Sequence, residues 1–175
     1  LLQIIIEGAE ENMNRKEYEK NADYIGAVTE AQQGNYMVFF PSYRLMQDVY
    51  EVFAGKAADS CEILMQHSNM KEHEREAFLE EFEKERQGTL VAFCVMGGIF
   101  GEGIDLKNDR LIGAIIVGTG LPQIGSEREI LKEYYDRKKQ SGFDYAYRYP
   151  GMNKVLQAAG RVIRTKEDRG VILLL

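Results

Sequence analysis

Six short apolar runs, separated by longer polar stretches, most constrain how this chain can fold. They are LLQIII (1–6), YMVFF (36–40), CEILM (61–65), LVAFCVM (90–96), GAIIVG (113–118) and GVILLL (170–175). Several of them are apolar at every position rather than at alternate positions, which is typical of strands covered on both faces of a parallel sheet. Because polar, periodic stretches lie between them, we predict an α/β domain with a mostly parallel sheet.

Helix candidates occupy the stretches between these runs. Serine and asparagine are good N-caps and glycine commonly ends helices, so these residues set most of the expected bounds. We predict helices over 15–33, from a Ser42 cap to Gly55, from a Ser68 or Asn69 cap through Phe82, from a Ser126 cap to about Gln140, and over the stretch that contains Gln157.

The length of the chain favours one domain. Its 175 residues and 45% hydrophobic content are enough for a single core. We find no internal repeat, low-complexity tract or linker, so we predict a single domain over residues 1–175. The chain has no initiator Met and its last residues form an apolar run, so we expect it to be part of a longer protein.

Charge is distributed unevenly along the chain. The net charge is −6, which argues against a surface that is basic throughout. Residues 1–126 carry 11 Lys and Arg against 21 Asp and Glu, a net charge of −10, whereas residues 127–175 carry 11 against 7, a net charge of +4. A local basic face is therefore expected in the last third of the chain.

Two cysteines, Cys61 and Cys94, lie inside apolar runs, and we predict that both are buried free thiols. Neither has the neighbouring ligands of a zinc or iron–sulfur site, so we predict no metal site in this chain. Free thiols suit a reducing, intracellular compartment. No apolar run has the length that a bilayer requires and no signal peptide is visible, so we predict no membrane association.

A first loop of unusual composition is FFPSY, residues 39–43. An apolar strand ends at Pro41, and Ser42 then begins a helix beside Tyr43. Helix capping is the ordinary interpretation of Ser42. The alternative is that Ser42 and the amides of the helix N-terminus contact a phosphate group.

A second loop, VMGGIFGEGIDL (95–106), holds four glycines and two acids after the most apolar run. Its glycine order from Gly98 to Gly103, G-x-x-G-x-G, is not that of a dinucleotide-binding turn, and no G-x-x-x-x-G-K-[ST] phosphate loop occurs in the chain. Glycine lets a ligand or a second domain approach closely. Glu102 and Asp105 either hold arginines or a ribose hydroxyl, or are solvated acids of an ordinary turn.

A third stretch, VLQAAGRVIRTKEDRG (155–170), places Gln157, Arg161 and Arg164 at spacings of four and three. These spacings predict that one helical face carries all three residues. Arginine is permanently charged and its planar fork fits phosphate oxygens. A solvated helix face is the alternative.

Together the three loops resemble motifs IV, V and VI of superfamily-two helicases, and most closely those of DinG/XPD-like DNA helicases. GNYMVFFPSY, GGIFGEGIDL and YPGMNKVLQAAGRVIRTKEDRGVILLL carry the resemblance, which covers about residues 34–175. It implies a RecA-like domain of the P-loop NTPase type, with three layers, a mostly parallel sheet and no P-loop of its own. Such a domain is the second, C-terminal motor domain of the helicase.

In this family ATP with Mg²⁺ lies between two motor domains. The first domain carries the phosphate-binding loop, the magnesium and water site and often a four-cysteine iron–sulfur cluster, none of which is in this sequence. The resemblance implies that Arg164 and Arg161 act as arginine fingers and that Gln157 joins them at the γ-phosphate. Arginine fingers in other NTPases are worth ~10³–10⁵ in rate.

The resemblance also implies two further sets of residues. Those that couple the nucleotide cleft to the DNA path are Glu102, Asp105 and Gly103. Those that lie near single-stranded DNA are Ser42, Tyr43 and Gly98. For Tyr145, Tyr147 and Tyr149, core packing or interdomain contact is favoured over stacking on bases.

The leading hypothesis is therefore the motor domain of an ATP-dependent DNA helicase, a DNA-repair type of enzyme, whose partners are the first RecA-like domain and single-stranded DNA. We expect it to be intracellular (cytoplasmic and nucleoid-associated in bacteria, nuclear in eukaryotes) and to have no ATPase activity by itself. The alternative is a non-catalytic, helicase-like interaction module. A third hypothesis, a nucleotide-binding enzyme of the Rossmann type, is disfavoured by the glycine order.

Overall fold

A parallel sheet organises the chain. The computed structural model describes residues 15–57, 59, 61–100, 106, 110–163 and 169–175, and the backbone alone for 2–6. The strands are β1 (Leu2–Ile6), β2 (Asn35–Phe40), β3 (Cys61–Met65), β4 (Thr89–Val95), β5 (Gly113–Ile116) and β6 (Gly170–Leu174). Among these residues the sheet has six strands in the order β1-β6-β5-β2-β4-β3, and every pairing is parallel. All of the predicted strands are confirmed.

Helices connect the strands and cover both faces of the sheet. They are α1 (Arg15–Ala31), α2 (Tyr43–Ala54), α3 (Glu72–Glu80), α4 (Ser126–Arg137) and α5 (Tyr149–Ala159), with a 3₁₀ turn at Glu81–Glu83 and a π-helical turn at Asp144–Arg148. Alternate residues of each strand point to opposite faces, which makes two separate cores. Phe39 and Ile116 pack in the core that contains residues of α3 and α5, and Val38 and Ile115 pack in the core that contains residues of α1 and α2. The predicted three-layer α/β architecture is confirmed.

One strand glycine is required by a close approach across the sheet. Gly113 of β5 pairs with Tyr36 of β2, and a Cβ on Gly113 would lie 2.3 Å from a ring carbon of Tyr36. The Tyr36 ring is fully buried, and its hydroxyl donates to Gln32 O at 2.6 Å. The bare backbone of Gly113 therefore makes room for an aromatic ring in the middle of the sheet.

The predicted caps are confirmed for α2 and wrong for α3. Ser42 Oγ accepts a hydrogen bond from Leu45 N at 3.3 Å, and Gly55 is the C-cap of the same helix. Helix α3 begins at Glu72 rather than after Ser68 or Asn69. The carboxylate of Glu74 accepts a hydrogen bond from Lys71 N at 2.7 Å. An acid in the first turn, rather than Ser68 or Asn69, therefore provides the acceptor for a backbone amide at the start of the helix.

Helix α4 also differs from the prediction at both ends. Gly125 occupies the N-cap position and Ser126 is the first helical residue, so Ser126 is not the cap. The helix ends at Arg137 rather than near Gln140. Lys139 has a φ of 59°, a left-handed conformation that cannot continue a right-handed helix.

The expectation that one helix carries Gln157, Arg161 and Arg164 is wrong. Helix α5 ends at Ala159 with Gly160 as its C-cap, and Arg161 lies in the turn that follows. There, Arg161 N donates to Ala158 O at 3.2 Å, a three-residue turn rather than a continued α-helix. The tertiary reason is the approach of Val162 to β6, since a Cβ on Gly170 would lie 2.1 Å from Val162 Cγ1.

Candidate functional site

The loops singled out by composition meet at one edge of the sheet. The carboxyl ends of β2 and β4, which are paired and parallel, lead directly into Ser42 and into Gly97. In open parallel α/β sheets, ligands bind in the crevice outside the carboxyl ends of the strands. The structure therefore brings two of the three candidate loops together.

The buried side chain of Gln66 connects these two loops. Gln66 directly follows β3 and is 1% exposed. Its Nε2 donates to the Tyr43 hydroxyl at 2.8 Å, and its Oε1 accepts from Val95 N at 2.9 Å. One amide thus satisfies a group in the first candidate loop and a group at the start of the second.

Gly98 packs directly on this amide. A Cβ at Gly98 would lie 3.1 Å from Gln66 Nε2 and 3.1 Å from Val95 O, so a larger residue would press on the Gln66 link. Sequence reasoning identified Tyr43 and Gly98 but missed Gln66. The only signal for it in the sequence was its position immediately after an apolar run.

The glycine-rich loop also approaches the third candidate stretch. Gly97 has a φ of +69°, which favours glycine, and a Cβ there would lie 3.4 Å from Cε of Lys154 on α5. Farther along, the fully buried Phe100 stacks on Phe78 with ring centroids 4.3 Å apart. The start of the loop is therefore anchored in the core while it touches α5. Glu102, Gly103 and Asp105 lie outside the described residues.

The first turn of α5 reaches the same edge of the sheet. A Cβ at Gly151 would lie 2.9 Å from Thr119 O, just beyond the carboxyl end of β5. The helix then buries Val155 and Ala158 against the sheet and leaves Gln157 exposed. Gln157 is thus presented to the outside of this domain.

Arg161 is half-buried in the turn after α5. Because Gly170 contacts Val162 at the amino end of β6, this turn lies at the opposite end of the helix from Gly151. Gln157 and Arg161 therefore lie along one stretch of α5 and its following turn, although not on one helical face. Arg164 lies outside the described residues.

The tyrosines near α5 divide into two groups. Tyr147 is 4% exposed, and its hydroxyl donates to Glu129 Oε1 at 2.6 Å; this hydrogen bond to a carboxylate raises the pKa of Tyr147. Tyr145 and Tyr149 are 37% and 49% exposed. Packing within the domain thus accounts for Tyr147 but not for the other two.

The cysteines behave as separate thiols. Cys94 is fully buried, as predicted, whereas Cys61 is only half-buried, and burial raises the pKa of both thiols. Across the part of the chain that the structure describes, no group of three His, Cys, Asp or Glu side chains is arranged to hold a metal ion. No helix in that part is long and apolar enough to cross a bilayer.

Comparisons with known proteins identify the family of this chain. The helicase C-terminal domain family matches residues 25–175. A relative in Caenorhabditis elegans, the regulator of telomere elongation helicase 1 homolog, is 29% identical over 89% of the chain and 19% of its own length. ATP-dependent DNA helicase YoaA of Haemophilus influenzae is 31% identical over 84% of the chain and 22% of its own length.

Solved structures show the same fold. Two XPD structures, one in the apo state, each superpose on 99% of the chain with a TM-score of 0.73, at 19% and 21% identity and over 34% and 31% of their own chains. Domain 2 of the DEAD-box helicase Mss116p, bound to an RNA duplex, superposes on 99% of the chain and 54% of its own with a TM-score of 0.57 at 12% identity.

The all-parallel sheet, its two helical layers and the loops at its carboxyl edge define a RecA-like domain of the helicase type. The chain belongs to the helicase C-terminal domain family, and within it to the C-terminal RecA-like domains of DinG/XPD-like helicases. It spans 19% and 22% of the length of the two relatives named above.

Proposed function

We propose that this chain is the second motor domain of an ATP-dependent DNA helicase and completes a composite ATPase site. The observation that carries the proposal is its membership of the helicase C-terminal domain family, combined with the absence of a G-x-x-x-x-G-K-[ST] loop from its sequence. The first RecA-like domain of the same protein then binds most of ATP and its Mg²⁺. This chain then supplies the side chains at the γ-phosphate that the first domain does not provide.

The supplied groups are Arg164 and Arg161, with Gln157. Gln157 is exposed on α5, and Arg161 is half-buried in a turn held by backbone hydrogen bonds. A guanidinium whose stem is partly fixed loses little conformational freedom when it binds phosphate oxygens. In the proposed site the two arginines stabilise the charge that develops on the γ-phosphoryl group, and closure of the two domains brings them into place.

The nucleic-acid path lies, in this proposal, along Ser42, Tyr43 and Gly98. Ser42 Oγ and the Tyr43 hydroxyl each accept a hydrogen bond from within the domain, so each retains its own proton to donate to a phosphate oxygen. Gly98 keeps the backbone of the adjoining loop close to the same surface. Single-stranded DNA would cross this edge through backbone contacts.

Coupling between the two sites is assigned to Glu102, Asp105 and Gly103. They follow the loop segment that touches both Gln66 and Lys154. Movement of α5 on ATP hydrolysis would therefore be transmitted to the loop beside the DNA.

We propose that the whole protein lies inside the cell, in the cytoplasm and nucleoid of a bacterium or the nucleus of a eukaryote, and that it acts in DNA maintenance such as repair.

The test is Arg164→Ala in the full-length helicase that contains this chain, with Arg169→Ala as the matched control in the same segment. We expect Arg164→Ala to retain nucleotide binding and to lower DNA-stimulated hydrolysis by ~10³ or more. Arg169→Ala should keep both. Wild-type turnover by Arg164→Ala would refute the arginine-finger assignment.

The isolated chain provides an independent test. It should show no ATP hydrolysis above background, and clear intrinsic turnover would contradict the composite-site proposal. A full-length protein without a GKT or GKS loop upstream would favour the alternative, a non-catalytic helicase-like interaction module.

A further inference from the structure

Four tyrosine rings form a continuous chain on the surface of α4, the π-helical turn and the start of α5. Tyr134 and Tyr135 have ring centroids 5.3 Å apart, Tyr135 and Tyr145 stack at 4.1 Å, and Tyr145 and Tyr149 meet edge to face at 5.2 Å. We call this set the tyrosine ladder. It joins residues from three elements, α4, the π-helical turn and α5, and the stack of Tyr135 on Tyr145 connects α4 to the rest.

The ladder is open to solvent at both ends. Tyr134 and Tyr149 are each 49% exposed, and Tyr145 is 37% exposed. An edge-to-face contact covers the edge of one ring and one face of the other, so the remaining faces stay available for a further stacking partner. A soluble domain rarely leaves several neighbouring aromatic rings exposed unless they contact something.

One end of the ladder lies at the functional edge of the sheet. Tyr149 begins α5, and Gly151, two residues later, packs against Thr119 just beyond the carboxyl end of β5. From there the ladder runs along the π-helical turn to α4. It therefore begins at the carboxyl edge of the sheet, the edge that also carries the proposed nucleic-acid path.

Helix α4 and the segment that leads into the π-helical turn are locked together. Gly142 N donates to Asp136 Oδ1 at 2.8 Å, and a Cβ on Gly142 would lie 2.1 Å from Lys132 O. Tyr147 of the π-helical turn is buried, and its hydroxyl donates to Glu129 of α4. The rings are thus held in place before any ligand arrives, which lowers the entropic cost of binding.

A lysine contacts one end of the ladder. Lys138 Nζ lies 4.4 Å from the centroid of the Tyr134 ring, and Lys138 is flanked in the sequence by Lys139 and by Arg137, which pairs with Glu133. This basic run lies in the part of the chain with a net charge of +4, although the whole chain carries −6. Lysine is depleted from the cores of protein–protein interfaces, whereas lysine next to exposed aromatic rings suits the phosphates and bases of a single strand.

We propose that the tyrosine ladder, with Lys138, binds single-stranded nucleic acid by base stacking and phosphate contact, outside the path along Ser42, Tyr43 and Gly98. This surface is separate from the proposed ATPase site and extends the proposed function. Stacking on tyrosine is tolerant of base sequence, as a translocating enzyme requires. The ladder holds the part of the strand that has left, or has not yet entered, the motor path.

The test measures binding of a fluorescent oligo-dT to the 175-residue chain by anisotropy at low salt. Relative to wild type, Tyr134→Leu with Tyr149→Leu should weaken binding by about fivefold or more for each base stack removed. The variant with Tyr134→Phe and Tyr149→Phe retains both rings and should bind as wild type.

Lys138→Gln should reduce the slope of log Kd against the logarithm of the salt concentration by about 0.7. Ile130→Ala, which removes exposed apolar area on the same helix without a ring, should not change binding.

Photocrosslinking to a bromodeoxyuridine-substituted oligonucleotide identifies the contact directly. We expect adducts on Tyr134 or Tyr149, also in a Ser42→Ala, Tyr43→Phe variant that perturbs the motor path. The proposal is overturned by unchanged affinity of the double Leu variant, by adducts confined to other segments, or by no binding of the wild-type chain. An equal loss with Ile130→Ala would indicate a protein-docking face and overturn it too. The two proposals can also fail separately. If Arg164→Ala keeps wild-type turnover while the tyrosine ladder still binds the oligonucleotide, the arginine-finger assignment is refuted and the ladder proposal stands.

Discussion

The amide of Gln66 bridges two loops that are separated along the chain, because it donates to the Tyr43 hydroxyl at 2.8 Å and accepts from Val95 N at 2.9 Å. It is buried and is flanked by the backbone of Gly98. The two loops on which the proposed nucleic-acid path depends therefore share one rigid link. A change at this link should affect stability and DNA contact together.

Gln66→Ala should destabilise the chain. The substitution leaves Val95 N without its buried acceptor and Tyr43 without its donor, and an unsatisfied buried polar group costs about 1–3 kcal/mol. Chemical denaturation of the chain measures the free energy of unfolding. The control is Gln47→Ala, whose exposed side chain donates to Glu51, and which should change stability by less than about 0.5 kcal/mol. Equal effects of the two substitutions would contradict the role given to Gln66.

Ser42→Ala should lower the free energy of unfolding by about 1 kcal/mol, because it removes the acceptor for Leu45 N at the start of α2. Ser126→Ala serves as the matched control. Ser126 is the first residue of α4 rather than its cap, so its loss should have little effect. Thermal unfolding of both variants decides the question, and a larger loss from Ser126→Ala would show that the caps are assigned wrongly.

Gly113→Ala should be destabilising by about 1–3 kcal/mol, as overpacking of a tight core usually is. The added Cβ would meet the Tyr36 ring, which is buried in the middle of the sheet. Gly26→Ala in α1 meets no atom within 4 Å and should instead stabilise the chain by about 0.4–1 kcal/mol. Chemical denaturation should show changes of opposite sign in the free energy of unfolding for the two alanine substitutions. A stabilising Gly113→Ala would disprove the close approach of Gly113 to the Tyr36 ring.

Stability should fall at alkaline pH partly because of Tyr36. Burial raises the pKa of Tyr36 to about 12, above its ordinary value of about 10. The unfolded chain therefore loses this proton first, so the stabilisation is complete below about pH 10 and is lost as the pH rises toward 12. The contribution of Tyr36 is tested by measuring the free energy of unfolding of wild type and Tyr36→Phe across this pH range, with tyrosinate absorbance as a second measurement. Parallel pH profiles of the two proteins would exclude the contribution of Tyr36.

Much of this domain was predictable from local patterns. Continuous apolar runs identified each strand from β1 to β6, because a strand buried on both faces of a parallel sheet has to be apolar on both sides. Ser42 and Gly55 marked the ends of α2 because capping depends on residues within one turn. The glycine-rich loop and the arginine-containing stretch were visible for the same reason: their composition is local.

The sequence alone thus determined the layers, the order of the elements and the candidate loops, since these follow from periodicity and turn chemistry. The tertiary structure decided where α5 ends, because the packing of Val162 on Gly170 turns the chain before Arg161. It also decided the link through Gln66 and the assembly of the tyrosine ladder. These contacts join residues that are distant in sequence, and their geometry depends on how whole elements pack, which no local pattern encodes.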